Sequence, residues 1–301
     1  MAISIEIKNG TVNLVSAKTR KGSVTVKNTH SFSYPEEWFD IVGITHMREF
    51  AQLLKEELHV LGNNEKDCYI CVNNSNIIYR ELLTPKLDAK KLPLLVRSEM
   101  MDELNLTPDY VIDYVILDDF YNEELSEGNY RILAVAIQQS AVVAYIELCK
   151  QLKLNLLSIT SATNSVIKLV DQIPELKSLD QVVIADVSSG QLKLFMFEFG
   201  KYIITRNTRV ATYTGYNKEE IILDVEDSIN KMNQFAYTRG PKTGIKKVVL
   251  FGIDELLEVI KHSVEDGLAI NCEIFNKPRG INYKGTFQTQ FLNACGSLLR
   301  E

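Results

Sequence analysis

The chain of 301 residues is 46% hydrophobic and 24% charged, which is ordinary for a globular protein and sufficient for two hydrophobic cores. Its net charge of −6 and the lack of a basic stripe argue against a nucleic-acid partner. No apolar run is long enough to span a bilayer, and the alternating N-terminus is typical of a strand rather than a signal peptide. We therefore expect a cytosolic protein without direct membrane insertion.

The cysteines and histidines predict no metal site. Five cysteines, an odd number, fit a reducing compartment. Cys68 and Cys71 form a CxxC pair, but residues three apart on a strand point to opposite faces of the sheet. The four histidines show no ligand spacing. We expect buried structural thiols.

The first 29 residues predict a meander of three strands with a carboxylate, Glu6, near the first turn. The strands are Ile3–Ile7, Val12–Ala17 and Ser23–Asn28, joined by turns at Lys8–Gly10 and Lys18–Gly22. A loop over residues 30–44 follows. Thr45 can cap a helix that runs to about Val60, and a buried strand is predicted at Cys68–Val72.

Residues 76–155 predict a separate small module in the order β-α-β-β-α-β, the split βαβ arrangement. Its predicted elements are strands at Ile77–Leu83, Tyr110–Leu117, Tyr130–Ile137 and Leu154–Ile159, helices from Asp88 to Leu104 and over Gln139–Leu152, and an acidic loop at Asp118–Gly128. Because meander strands flank this module on both sides, we predict that it is inserted into the first half of the chain.

The second half repeats the opening pattern. After a helix at Ser161–Leu169 and a linker, strands are predicted at Val182–Val187, Leu192–Phe197 and Tyr202–Thr205, with Asp186 at the tip of the first and a turn at Ser188–Gln191. The later elements are a helix at Asn217–Tyr237 stopped by Arg239-Gly240-Pro241, a strand at Lys246–Gly252, a helix at Ile253–Val264, a strand at Ile270–Phe275 and a final helix at Phe287–Leu299.

A meander with a carboxylate-tipped strand that occurs twice predicts a duplicated α/β fold with a cleft between its halves. We assign residues 1–75, 156–179 and 284–301 to the first-half core, residues 76–155 to the inserted module, and residues 180–283 to the second half.

Several stretches carry a family resemblance. They are the strand and glycine VVLFG (Val248–Gly252), the helix and strand LLVRSEMMDELNLTPDYVIDYVIL (Leu94–Leu117), the strand–helix–strand ILAVAIQQSAVVAYIELCKQLKLNLLSI (Ile132–Ile159) and the closing LNACGSLLR (Leu292–Arg300). With them the chain resembles the PilM family of type IV pilus assembly proteins, relatives of the cell-division protein FtsA. The resemblance implies an actin/Hsp70-like two-domain fold with an inserted split-βαβ module.

In that family Mg-ATP sits in the cleft, and the resemblance places its contacts at three turns. The residues concerned are Glu6, Lys8, Asn9, Gly10, Asp186, Ser188, Ser189, Gly190 and Gly252. Each motif departs from the family pattern. Both carboxylates are kept, but Asn13 stands where a lysine is expected, Ser188 replaces a glycine and Leu192 a threonine. Lys8 restores a charge by a different route. In the alternative interpretation, Glu6 and Asp186 are polar strand-end residues that satisfy their own turns.

The resemblance implies a structural adaptor with degenerate nucleotide motifs. Such an adaptor captures the short N-terminal cytoplasmic tail of a PilN-like single-pass membrane protein, at the inner face of the cytoplasmic membrane and in a groove beside the inserted module. Candidate tail-binding residues are Arg97, Glu99, Met100 and Glu103. Helix position alone would equally place Met100 in the core and leave Arg97 and Glu99 solvated or salt-bridged. A pilus motor ATPase is a further expected partner, and self-association is left open.

Two alternatives remain at this stage. An active Mg-ATP-dependent ATPase or kinase of the same fold would need intact phosphate-binding glycines. An FtsA-like division protein would carry a C-terminal amphipathic helix, and a relative from type II secretion would continue into a membrane span. We expect neither extension.

Overall fold

A computed structural model describes residues 1–62, 64–74, 77–122, 127–238 and 243–300, and at residues 120–122 and 127 it describes the backbone alone. The strands are β1 (Ala2–Lys8), β2 (Thr11–Arg20), β3 (Ser23–Ser33), β4 (Phe39–Asp40), β5 (Gly43–Ile44), β6 (Asp67–Asn73), β7 (Ile78–Pro85), β8 (Tyr110–Asn122), β9 (Glu127–Gln138), β10 (Asn155–Ser161), β11 (Val182–Ser188), β12 (Gln191–Glu198), β13 (Lys201–Arg209), β14 (Lys247–Gly252), β15 (Asn271–Ile274) and β16 (Ile281–Tyr283).

The helices alternate with these strands, as expected for an α/β protein. They are α1 (Met47–Val60), α2 (Leu92–Leu104), α3 (Gln139–Gln151), α4 (Ala162–Asp171), α5 (Pro174–Lys177), α6 (Lys218–Tyr237), α7 (Asp254–Leu268) and α8 (Leu292–Ser297). Short 3-10 helices span Glu36–Trp38 and Thr289–Phe291.

The chain forms two compact units. Unit 1 contains residues 1–33, 56–73 and 155–301, and unit 2 contains residues 34–55 and 74–154. The predicted boundary between residues 75 and 76 falls outside the described part of the chain. Unit 1 therefore holds the predicted second half and most of the predicted first-half core, whereas unit 2 holds the predicted module together with residues 34–55, which the sequence predicts to lie in the first-half core.

Unit 1 is built from two sheets that repeat one plan. The six-stranded sheet has the order β10-β6-β1-β2-β3-β16, and the five-stranded sheet has the order β13-β12-β11-β14-β15. In each sheet an antiparallel meander (β1-β2-β3 or β11-β12-β13) extends on its other side through a parallel strand, β6 or β14. The predicted duplication is thus present in the sheet topology.

The two meanders also match in register. Glu6 lies opposite Asn13 in the first hairpin, and Asp186 lies opposite Lys193 in the second. Each hairpin turns through two residues that end in a glycine of positive φ, Gly10 at 68° and Gly190 at 75°. A left-handed conformation at the turn costs a glycine little, which explains why this residue closes both tight links.

The core around the five-stranded sheet is formed by β11, β12 and β14 with α6 and α7. Every second residue of these strands points into the core. The two helices bury apolar residues at steps of three and four, including Val225, Ile229 and Met232 on α6. Beside the six-stranded sheet, α8 packs against α4, β1 and β6. Each carboxylate-bearing strand is therefore held by a packed core.

Unit 2 contains a three-stranded antiparallel sheet in the order β7-β9-β8. Its core joins α2 to one face of this sheet through residues such as Val96, Leu82 and Ile132. The β4–β5 hairpin lies on α3 at Gly43, where an added Cβ would be 3.0 Å from the Ala141 Cα. Tyr34, Phe39 and Phe50 form an aromatic cluster in the same unit.

The structure corrects the prediction for the last strand of the module. The strand predicted at Leu154–Ile159 exists as β10, but it pairs in parallel with β6 in the six-stranded sheet of unit 1. The sheet of unit 2 therefore has three strands among the described residues. Which sheet a strand joins depends on tertiary pairing, which the local sequence pattern does not encode.

Several boundaries also differ from the predictions. The strands β2 and β3 extend to Arg20 and Ser33, so the basic turn and the following loop are shorter than expected. Thr45 does not begin the helix: α1 starts at Met47, and the Thr45 hydroxyl donates to the Glu37 carbonyl. The predicted final helix is divided into a 3-10 turn and α8.

Two predicted connections can be judged only in part. The acidic loop at Asp118–Gly128 is largely replaced by β8 and β9, and residues 123–126 are outside the described part. α6 ends at Tyr237 as predicted, but the stop signal at residues 239–241 lies outside the described part as well.

Candidate functional site: a buried carboxylate network

Glu6 and Asp186 lie in equivalent places near the ends of β1 and β11, and both side chains are buried. The strands belong to the two different sheets of unit 1, so the duplication brings the two acids together although 180 positions separate them. Burying two ionised carboxylates is costly unless cations and hydrogen-bond donors compensate for the lost water. The surrounding side chains supply both.

Two asparagine amides bridge the acids. The Asn73 Nδ2 donates to Glu6 Oε1 at 2.8 Å and to Asp186 Oδ2 at 3.0 Å. The Asn293 Nδ2 donates to the same two oxygens at 2.9 and 2.7 Å. The Asn293 Oδ1 is left without a hydrogen-bond partner in the described structure, so the two carboxylates determine the orientation of this amide.

Lys8 is the cation between the two acids. Its Nζ lies 3.5 Å from Glu6 Oε1, 3.5 Å from Asp186 Oδ1 and 2.8 Å from the Ser188 Oγ, to which it donates. The Ser188 hydroxyl in turn donates to Asp186 Oδ1 at 2.7 Å. Because Lys8 is on β1 and Ser188 is on β11, this side chain joins the ends of the two sheets.

Asn13 and Lys193 complete the network from equivalent positions on β2 and β12. The Asn13 Nδ2 donates to Glu6 Oε2 at 2.9 Å, and the Lys193 Nζ donates to the Asn73 Oδ1 at 2.6 Å. All four carboxylate oxygens therefore accept hydrogen bonds or ion pairs from the protein. We call this set the carboxylate network; its members are Glu6, Lys8, Asn13, Asn73, Asp186, Ser188, Lys193 and Asn293.

The pKa shifts follow from burial and charge. Burial alone would raise the pKa of the Asp186 carboxyl, but the Lys8 ammonium and the donors on Ser188, Asn73 and Asn293 outweigh it and hold that pKa below its ordinary value. Burial would lower the pKa of Lys8, but Asp186 and Glu6 reverse this and raise it. For Lys193, burial wins and lowers the pKa to about 8.

The space beside the network is small. A cavity of about 70 Å³ opens next to Lys8 and Ser188, and its other lining residues are Asn9, Thr11, Asn13, Ser31, Val187, Ser189, Gly252, Ile253 and Gln290. Sites for small molecules and cofactors are typically about 300–1,000 Å³. The structure thus brings the predicted contacts Asn9, Ser189 and Gly252 to one cavity, and the volume of this cavity lies below that range.

Gly252 has a structural reason to be a glycine. Its φ is 128°, and an added Cβ would lie 2.0 Å from the carbonyl oxygen of Val187. The Ile253 N–H donates to that same carbonyl, and the Thr289 hydroxyl accepts from the Gly252 N–H and donates to Asp254. Close approach of β14 to β11 therefore accounts for this glycine without a ligand.

The residues present do not fit Mg-ATP in this arrangement. Mg²⁺ needs oxygen ligands or waters in near-octahedral geometry, whereas every oxygen of Glu6 and Asp186 is engaged by the protein. Phosphates need accessible main-chain N–H groups and a compensating cation, whereas the Lys8 side chain is directed to the carboxylates. ATP with Mg²⁺ stays a prediction from the family resemblance, and this geometry argues against it.

The candidate tail-binding residues on α2 divide into two groups. Met100 is fully buried in the core of unit 2, so its side chain is not available to contact a tail. Arg97 donates to the carbonyls of Pro108 and Tyr110 and so ties α2 to the start of β8. Glu103 forms an ion pair with Arg80 at 2.7 Å. The pKa of Glu99 is raised, mainly by partial burial and also by repulsion from Glu103.

The cysteines, possible metal ligands and helix lengths bear on the remaining predictions about metals and membranes. Cys68 and Cys71 are buried, as predicted, and the other three cysteines are buried as well. No cluster of histidine, cysteine or acidic residues suited to a metal ion occurs within residues 1–62, 64–74, 77–122, 127–238 and 243–300. None of the helices in these ranges is both long and apolar enough to cross a membrane.

The sequence analysis missed Asn73, Lys193 and Asn293. Lys193 could have been found, because it follows Asp186 at the same spacing as Asn13 follows Glu6, and because a lysine inside the apolar strand LKLFMF needs a buried partner. Asn73 and Asn293 reach the acids only through the pairing of β6 and the packing of α8. No local pattern announces such contacts.

No protein-family model matches this sequence, and no curated protein shows a significant match. Solved structures do. The PilM–PilN type IV pilus biogenesis complex contains a chain that superposes with a TM-score of 0.82 at 16% identity, over 99% of this chain and 97% of that one. The ethanolamine utilization protein EutJ from Carboxydothermus hydrogenoformans gives 0.52 at 10% identity, over 99% and 88%.

The cytoplasmic domain of EpsL, an inner-membrane component of the type II secretion system of Vibrio cholerae, gives a TM-score of 0.51 at 8% identity, over 99% of this chain and 94% of that one. Together with the duplicated sheets of unit 1, these matches define the class: the chain has an actin/Hsp70-like two-domain fold. Within that class, the chain has the PilM type of the actin-like fold, as the sequence predicted.

Proposed function

We propose that this chain is a non-catalytic adaptor in the inner-membrane assembly platform of a type IV pilus machine. The observation that carries the proposal is the superposition on the PilM–PilN complex, which extends over nearly the full length of both chains with a TM-score of 0.82. The other matches, at 0.52 and 0.51, share only the general plan of the fold. The detailed agreement supports a PilM-like role.

The adaptor binds the short N-terminal cytoplasmic tail of a PilN-like single-pass membrane protein, and this partner recruits it to the inner face of the cytoplasmic membrane. A contact with the pilus motor ATPase is a further part of the proposal. The carboxylate network supports a role without catalysis, because its acids are engaged in internal bonds.

We assign tail binding to the polar surface of α2 in unit 2, at Arg97, Glu99 and Glu103. These side chains are partly or fully exposed on a helix that the buried Val96 and Met100 fix to the sheet. A short peptide gains affinity from main-chain bonds and one or two anchors, and charged neighbours determine which tails are accepted.

The test is calorimetric titration of the full chain with a peptide that copies the cytoplasmic N-terminus of a PilN-like protein from the same organism. We expect micromolar or tighter binding, about −8 kcal/mol. Arg97→Glu should weaken binding and Glu99→Lys should strengthen it, because the first makes the α2 surface more negative and the second makes it more positive. Glu99→Lys also leaves the two hydrogen bonds of Arg97 in place.

Asp266→Lys, an exposed reversal at the end of α7, is the control and should leave the affinity unchanged. If the peptide binds but neither α2 variant alters the affinity, the surface assignment is wrong and the adaptor role stands. If no peptide from the verified partner binds, the adaptor role is refuted.

A further inference from the structure

We propose that the Lys8 ammonium takes the place that a divalent cation would need between Glu6 and Asp186, so that the cleft between the two sheets of unit 1 is closed by the chain itself. This inference concerns how the fold is stabilised, and it does not depend on the adaptor role. The Lys8 bridge holds the cleft between the two sheets permanently closed.

The Lys8 ammonium is positioned symmetrically between the two acids. The Lys8 Nζ lies at the same distance, 3.5 Å, from an oxygen of each acid, and it is anchored by the Ser188 hydroxyl at 2.8 Å. Its side chain is 6% exposed, against 0% and 2% for the acids. A buried cation that contacts two carboxylates from two different sheets has the position and the charge sign of a bridging metal ion.

The buried carboxylates of Glu6 and Asp186 repel each other. Glu6 and Asp186 share two amide donors, Asn73 and Asn293, so their negative charges are close together in a buried place where screening by water and salt is weak. Amide donors reduce this repulsion but carry no net charge. Lys8 supplies a full positive charge in direct contact with both acids, whereas the Lys193 ammonium reaches them through the Asn73 amide.

The two repeated strands β1 and β11 end in different residues, Lys8 and Ser188. Lys8 and Ser188 occupy equivalent positions at the ends of β1 and β11. One half presents the cation and the other presents its anchor, and the resulting bond joins residues 180 positions apart. A bond of this kind ties the two sheets together at the edge where a ligand would otherwise separate them.

The experiment measures the thermal midpoint of the full chain in the presence and absence of MgCl₂, MnCl₂ and Mg-ATP, with NaCl at matched ionic strength. We expect the midpoint of the wild type to stay unchanged in all of them. We expect Lys8→Ala to melt at least about 5 °C lower and to regain part of this loss with either divalent salt but not with NaCl. The control Lys27→Ala removes an exposed lysine from β3 and should show neither effect.

A second variant keeps the proposal testable if Lys8→Ala does not fold. Lys8→Met combined with Asp186→Asn removes the cation and one anion together. We expect this double variant to be more stable than Lys8→Met alone and to ignore divalent salts. The proposal is overturned if the double variant is no more stable than the single one, if Lys8→Ala folds but gains nothing from Mg²⁺ or Mn²⁺, or if Mg-ATP raises the midpoint of the wild type.

Discussion

Lys193 and Lys8 are both buried lysines, but their environments act in opposite directions. Lys8 contacts both acids directly, and its pKa is raised despite burial. Lys193 reaches the same acids mainly through Asn73, and burial lowers its pKa to about 8. The lysine that contacts both carboxylates therefore keeps its charge, whereas the buried lysine that reaches them through an amide loses its charge in mildly alkaline solution.

This difference predicts a pH dependence. Above pH 8 the folded protein releases the proton of Lys193, whereas the unfolded chain keeps it until about pH 10.4. The unfolded state then binds more protons, so the stability of the wild type relative to Lys193→Met should rise between pH 8 and 10, by at most about 1.4 kcal/mol per pH unit. Urea unfolding of both proteins at several pH values measures it, and parallel curves would show that Lys193 is not perturbed.

The sequence identified some of the residues in the carboxylate network and not others. Glu6, Asp186 and Lys8 were predicted because they end apolar strands at a repeated turn. Asn73 and Asn293 were not, since strand pairing and helix packing bring them to the acids. For Met100 the sequence left both a tail-binding and a core position open, because a helical pattern gives the periodicity of a face without showing which face meets the core.

At the scale of elements, the approach of β14 to β11 depends on one glycine. Gly252→Ala should cost at least about 3 kcal/mol, because a methyl group would overlap the Val187 carbonyl and because φ is 128°. Gly215→Ala is a matched control: its φ is also positive, at 86°, but a Cβ there meets open space. It should cost only about 1 kcal/mol, and equal losses in urea unfolding would contradict the packing argument.

The elements themselves were largely predictable. Alternating apolar residues indicated both meanders, and the spacing of Val225, Ile229 and Met232 indicated α6. The membership of β10 was not predictable, since its sequence fits an edge strand of either sheet. The structure resolves this through its parallel pairing with β6.

At the scale of the molecule, unit 1 brings residues from both ends of the chain together. The Ser4 hydroxyl on β1 lies 2.7 Å from the Ser297 hydroxyl on α8, and both are buried. On the other side of α8, a Cβ added to Gly296 would lie 2.7 Å from the Ser165 carbonyl on α4. The closing helix therefore fits between the first strand and α4 with no spare space.

We predict that Gly296→Ala lowers the free energy of unfolding by about 1–3 kcal/mol, since overpacking outweighs the gain in helix propensity. Gly285→Ala, where nothing lies within 4 Å, should leave the stability nearly unchanged. Chemical denaturation of the two variants compares them directly. A Gly296→Ala protein as stable as the wild type would mean that α8 can shift away from α4.

The pairing of β10 with β6 has a consequence for synthesis. β6 ends at Asn73 and its neighbour begins at Asn155, so one edge of β6 stays unpaired until residues 74–154 have been made. An uncovered apolar strand edge is a template for association with other chains. Early folding of unit 2 would make this long crossover compact and shorten the period of exposure. Variants that slow the folding of unit 2 should therefore reduce the yield of the whole protein by aggregation, even where they leave the finished fold intact.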